Sequence, residues 1–162
     1  MRVFIGLGSN LGDRRGTLRQ AVRCLRERLG PGRLSSLYES APQGWSEQDF
    51  FFNAVFLGEA TAEPAELAGY LQSLEVQAGR QTGFRNGPRP LDLDLLVYGE
   101  RQIQTPELVV PHPRLAERAF VLRPLWELAP ELSLPEGSLS ELLLALGFTE
   151  DLRRIAGPTW GN

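Results

Sequence analysis

The hydrophobic period along the chain switches between two and 3.6 residues in the order strand, helix, strand, strand, helix, strand, and few folds accept that order. Residues 2–7 alternate around Val3 and Ile5 and run into Gly6-Leu7-Gly8-Ser9-Asn10, which reads as a strand entering a glycine-rich turn. Asp13 then suits the N-cap of a helix whose Leu18, Ala21, Val22, Leu25 and Leu29 recur at three- and four-residue steps, until Gly30-Pro31-Gly32 stops it. Residues 33–39 and 51–57 are predicted as strands on either side of a loop over 40–49. Pro64 opens a second helix with an apolar stripe of Leu67, Leu71, Leu74 and Ala78, ending at Gly79. A strongly apolar strand over 91–98 follows. The sum is an α+β chain, a ferredoxin-like βαββαβ sandwich with both helices on one face of an antiparallel sheet. Beyond it lie C-terminal helical and strand additions, with helices predicted over 120–128 and 139–146.

Size and charge narrow the function. With 162 residues and 42% hydrophobic content, the expectation is one compact domain over 1–162, working as a monomer. A net charge of -3 and a pI near 5.3 argue against nucleic acid as a partner, because counterion release needs a broad basic surface. No long apolar stretch opens the chain or reaches membrane-spanning length, so a cytoplasmic protein with no membrane partner is expected. The single cysteine, Cys24, excludes an internal disulfide and a multi-cysteine zinc site. All 17 basic residues are arginine, which removes Schiff-base chemistry and every mechanism built on a phosphate-binding lysine. Phosphate, if bound, must be held by arginine, backbone amides or metal.

Asp92-Leu93-Asp94-Leu95 carries the densest chemical signal. Side chains two apart on a strand share a face, so the two carboxylates project together and the leucines project oppositely. Carboxylates so placed repel unless a cation sits between them, and magnesium held by one or two carboxylates, with phosphate and water completing its shell, is the arrangement of phosphoryl-transfer sites. For Asp-x-Asp alone, a solvated acidic edge strand is the commoner case. The preceding segment shifts the balance, because Arg80, Arg85 and Arg89 are interleaved there with Gly79, Gly83 and Gly87 and no acid intervenes. A basic, glycine-rich loop feeding into paired carboxylates suits a magnesium nucleotide lying across both. His112, the only histidine, is set between prolines in Val-Val-Pro-His-Pro; it fits a donor to phosphate and equally a structural turn. Gly6-x-Gly8 lacks the third glycine of a dinucleotide loop and the lysine of a P-loop. Phe50, Phe51 and Phe52 beside Asn53 fit a core strand, and also a flat heterocycle that is stacked and hydrogen-bonded at its edge. Two rival classes use the same features: a magnesium-dependent nucleotide phosphohydrolase, and a non-enzymatic ferredoxin-like binding module.

Taken in order, FIGLGSNLGDR, FFNAV, GRQTGFRNGPRPLDLDLLVYG and VVPHPRLAERAFVLRPLWELAP give the chain a specific resemblance to the 6-hydroxymethyl-7,8-dihydropterin pyrophosphokinases along nearly its whole length. The resemblance implies a ferredoxin-like fold. It also implies an ATP-dependent reaction of folate biosynthesis, a pyrophosphoryl transfer to the pterin alcohol that gives AMP and the pterin pyrophosphate. It further implies that Asp92 and Asp94 ligate two Mg2+ ions, that Arg80 and Arg89 act in catalysis, and that Gln72, Glu75, Arg85, Leu95, His112 and Arg118 join them around ATP. Asn53, Phe51 and Phe120 would hold the pterin, with Gly8, Ser40, Ala41, Pro42 and Gln43 lining its pocket. The sequence departs from the family pattern at Thr82, where many members carry a second loop arginine, and at Asn86, where some carry tryptophan. Phe51 replaces a common tyrosine, and Gln43 replaces an apolar residue of the pterin loop.

Overall fold

The structure is a computed structural model that describes residues 1–44, 46–80, 87–147 and 151–162. Strand β1 (Arg2–Ser9) turns Val3, Ile5 and Leu7 to one face of the sheet and Phe4, Gly6 and Gly8 to the other. It runs past the end predicted at residue 7, so Gly8 lies within the sheet and not in a turn. Asp13 caps helix α1 (Arg14–Leu29) by accepting from the N–H of Gly16 at 3.0 Å, and the predicted stripe from Leu18 to Leu29 is buried.

Two short strands, β2 (Arg33–Leu34) and β3 (Leu37–Ser40), replace the single strand expected over 33–39, and both pair with β4 (Phe51–Glu59). The break has a side-chain cause. Ser35 donates its N–H to Val55 O at 2.9 Å, but Val55 N–H donates to Ser35 Oγ at 2.9 Å, so a hydroxyl stands in the ladder where a carbonyl would. The carbonyl of Ser35 accepts instead from the indole of Trp160 at 2.9 Å.

Helix α2 (Pro64–Gln77) buries Leu67, Leu71 and Leu74 beside α1, and β5 (Asp92–Tyr98) returns along β1. A small hairpin of β6 (Ile103–Gln104) and β7 (Val109–Val110) leads to α3 (Ala119–Leu128). A second hairpin, β8 (Ser133–Leu134) and β9 (Gly137–Ser138), leads to α4 (Leu139–Leu146), and β10 (Leu152–Ala156) closes the sheet.

The strand order is β10-β3-β4-β1-β5, with every neighbour antiparallel and β2 continuing alongside β4. The inner order β3-β4-β1-β5 with α1 and α2 on one face is the ferredoxin-like arrangement expected. The C-terminal additions extend it: β10 widens the sheet beyond β3, and α3 and α4 pack on the second face over Phe4, Val55 and Leu96. Leu122, Leu125 and Leu139 are fully buried there, each worth about 1.5–3 kcal/mol of apolar burial. Register shifts once along β5, where Phe4 faces Val97 but Ile5 faces Leu95. The extra residue, Leu96, gives its carbonyl to the N–H of His112 at 2.9 Å, which ties the proline-flanked turn to the sheet.

Candidate active site

The register of the sheet builds the site. Gly8 lies opposite Asp92 on one side and Asn53 on the other, and Gly6 lies opposite Asp94 and Val55. Directly opposed residues share a face, so each glycine sits between a carboxylate and a residue of β4. Having no side chains, the two glycines form a trough along β1 with acidic groups on one wall and Asn53 and Phe51 on the other. A Cβ at Gly8 would meet Asn53 Oδ1 at 3.5 Å and Asp92 Cβ at 3.7 Å, ordinary contacts. A Cβ would therefore fit here without backbone strain, and what glycine leaves at this position is open floor above the strand.

The acidic wall is electrostatically crowded. Asp92 accepts from Arg89 Nη1 at 2.5 Å. Among the described residues Asp94 has only longer partners, Arg118 Nη1 at 3.6 Å and His112 Nε2 at 3.8 Å. Burial pushes the Asp94 carboxyl up to about 7, with the charge of Asp92 adding to the effect and Arg118 opposing it. Burial pushes His112 down to about 4, and the charge of Arg118 adds to that. Its Nδ1 accepts from the N–H of Arg114 at 3.2 Å, so the neutral ring carries its proton on Nε2, toward Asp94. Arg118 Nε is buried and has no hydrogen-bond partner among the described residues.

On the opposite wall Asn53 donates to Ser40 Oγ at 2.7 Å, which fixes its amide plane, and Phe120 at the start of α3 borders the same cleft. The cleft thus brings together Gly8, Ser40, Ala41, Gln43, Phe51, Asn53, Arg89, Asp92, Asp94, His112, Arg118 and Phe120 of the residues expected from sequence. Pro42 lines an adjoining hollow that shares Phe120 with it.

Four other expected residues do not line this cleft. Leu95 turns its side chain into the core under α1 and α2, on the same face as Leu93, and away from the cleft. Glu75, which is 2% exposed, braces the edge strand instead of lining the cleft: Oε1 accepts from the N–H of Leu93 at 2.8 Å and Oε2 pairs with Arg80. Arg80 is held at that carboxylate and not at the cleft wall, while Gln72 is exposed on α2 one turn before Glu75. Arg85, Thr82 and Asn86 lie outside the described residues. Gly6, Gly87 and Val121 line the cleft and were not singled out as site residues; for Gly6 the signal was the alternation of β1 itself.

The donor set fits magnesium. Both carboxylates share one face, repel each other and offer only oxygen; among the described residues no group of three or more His, Cys, Asp or Glu gathers that could hold a metal unaided. A cation here would take the remainder of its shell from phosphate and water.

Comparison with known proteins gives the chain's family and fold. Residues 4–130 match the model of the family described as 7,8-dihydro-6-hydroxymethylpterin-pyrophosphokinase. A Pseudomonas aeruginosa protein named 2-amino-4-hydroxy-6-hydroxymethyldihydropteridine pyrophosphokinase is 44% identical over 160 residues, covering 96% of this chain and 98% of that one. An Arabidopsis thaliana folate synthesis bifunctional protein is 46% identical over 127 residues, 78% of this chain but 23% of the longer relative. Among solved structures, a Plasmodium falciparum HPPK-DHPS superimposes with a TM-score of 0.76 at 13% identity, over 95% of this chain and 48% of that chain, a likeness of fold. By sequence over most of its length, the chain belongs to the 7,8-dihydro-6-hydroxymethylpterin-pyrophosphokinase family.

Proposed function

We propose that the glycine trough seats the two substrates of the family's reaction side by side, ATP against the acidic and arginine wall and 6-hydroxymethyl-7,8-dihydropterin against Asn53, Phe51 and Phe120. The products are AMP and the pterin pyrophosphate, a step of folate biosynthesis. One observation carries the reading: a wall of Asn53 and aromatic rings faces a wall of carboxylates and arginines across a floor with no side chains. A phosphohydrolase would need only the second wall.

In this reading Asn53, its plane set by Ser40, hydrogen-bonds the edge of the pterin, and Phe51 and Phe120 stack on its faces. The pterin hydroxyl then approaches the β-phosphorus in line with the bond to the leaving AMP. Arg89, Arg118 and the Nε2–H of His112 converge on the triphosphate. Arg80 and Arg85 would add charge from the glycine-rich segment. Asp92 and Asp94 would hold two Mg2+ ions, which when bound neutralise phosphate charge and orient the chain of phosphates. Orientation and fixed charge supply the catalysis, with no covalent nucleophile. Residues 1–162 act as one domain, a monomer of the cytoplasm; no described helix is long and apolar enough to cross a membrane.

The test is product analysis with purified protein, Mg2+, ATP and the pterin alcohol, alongside Asp92→Ala and Asp94→Ala. AMP formed in step with pterin pyrophosphate, and lost in both variants, is the expected result. ADP, free phosphate, or AMP formed equally without the pterin would overturn the assignment in favour of hydrolysis.

A further inference from the structure

Asn10 follows directly on β1, is 1% exposed, and lies behind the cleft without lining it. Its bonds run in two directions. Toward the arginine side, its backbone N–H donates to Arg89 O at 3.1 Å and its Oδ1 accepts from Arg89 N–H at 2.7 Å. Toward the pterin side, its Nδ2 donates to Gln48 Oε1 at 2.8 Å and to Asp49 O at 3.1 Å. The amide orientation is fixed, because turning it over would set an NH2 group against the N–H of Arg89. What lies beyond each end is functional. Arg89 holds Asp92, and Gln48 and Asp49 precede Phe51 in the segment that leaves Ser40, Ala41 and Gln43 on the cleft wall.

We infer that Asn10 is a positioning residue that links the two half-sites, so that the segment shaping the pterin wall and the backbone carrying Arg89 adopt their working positions together. The inference rests on the substrate assignment proposed above. Only a short side chain with two donors and an acceptor can hold both partners at once. Aspartate would keep the acceptor for Arg89 and lose both donors to the loop; leucine, of similar size, would lose all three bonds. A linkage of this kind has a thermodynamic signature: each ligand tightens the other by the same factor, commonly five- to 150-fold or about that range.

Titration calorimetry of 6-hydroxymethyl-7,8-dihydropterin, with and without magnesium and a non-hydrolysable α,β-methylene ATP analogue, reads that factor. Wild type should show the nucleotide tightening pterin binding by roughly tenfold or more. In Asn10→Asp the factor should fall to within about threefold of one while affinity for the analogue alone is kept, and Gln48→Leu, which cuts the same link at its half-buried loop partner, should reproduce the loss. A factor unchanged in both variants, with only the melting temperature lowered, would show that Asn10 is structural and overturn the inference, as would wild type binding both ligands independently. Failure of wild type to bind the pterin under any condition would instead remove the substrate assignment, and this linkage with it.

Discussion

Replacing Glu75 separates two contributions that the fold has combined in one side chain. The carboxylate is 2% exposed, accepts from Leu93 N–H at 2.8 Å and pairs with Arg80. Burial raises its pKa, and the Leu93 and Arg80 contacts only partly oppose the rise. The sign of that shift sets the prediction: a carboxyl raised above its unfolded value stabilises the fold fully below the unfolded pKa and loses that contribution as pH rises, so at neutral pH the charge is a net cost. Glu75→Gln keeps an acceptor for Leu93 and removes the buried charge, and should change stability by less than about 1 kcal/mol in either direction. Glu75→Ala leaves the Leu93 N–H without a partner beneath the core and opens a void. An unsatisfied buried donor costs about 1–3 kcal/mol, and the cavity brings the total to roughly 3 kcal/mol. For a chain of this length that is a fall in melting temperature of about 6–12 °C, against no more than about 4 °C for glutamine. Urea unfolding at pH 7, with slopes compared to confirm an unchanged unfolded state, is the assay. Equal losses in both variants would show that the ion pair with Arg80 dominates and would refute the reasoning.

Asp92→Asn and Asp94→Asn should each lower turnover by roughly 10³-fold while leaving the metal-free melting temperature unchanged or higher, since each removes a like-charge repulsion; a circular-dichroism melt beside the product assay checks both halves. With Asp94 at about 7, a metal ion must displace a proton below that pH, so Mn2+ binding followed by electron paramagnetic resonance should be about tenfold weaker at pH 6 than at pH 8. A pH-independent affinity would contradict the raised carboxyl. Trp160→Ala removes a ring that is 2% exposed and the donor to Ser35 O, and should cost about 3–5 kcal/mol in urea unfolding.

The six-segment core was legible because its periods are clean: the buried stripe of α1 is the one its leucine spacing predicts, and up to its bulge β5 sets Leu93 and Leu95 on the face opposite Asp92 and Asp94, as alternation requires. The interruption at Ser35 and Ser36 was not legible, since a hydroxyl standing in for a carbonyl leaves no mark on hydrophobic period. A C-terminal strand addition was expected, but the places of Trp160 and β10 were equally hidden, because their partners, Ser35 and β3, lie more than a hundred residues away. At the site, Asp92, Asp94 and Asn53 stood out as polar residues inside apolar strands. Gly6 and Gly8 did not, because a glycine pair is ambiguous until the register shows what stands on either side. Glu75 and Leu95 came from resemblance alone, and their packing shows one to be a brace and the other a core residue.

A cleft floored by the backbone of β1 also limits how this protein can escape an inhibitor. Residues on the walls can be exchanged for others that recognise a ligand less well. At Gly6 and Gly8 every exchange adds atoms, and under the substrate placement proposed above those atoms would occupy the space that the pterin and the nucleotide also need. A compound pressed closely against that floor would therefore be resisted only by mutations that exclude the pterin and the nucleotide along with it.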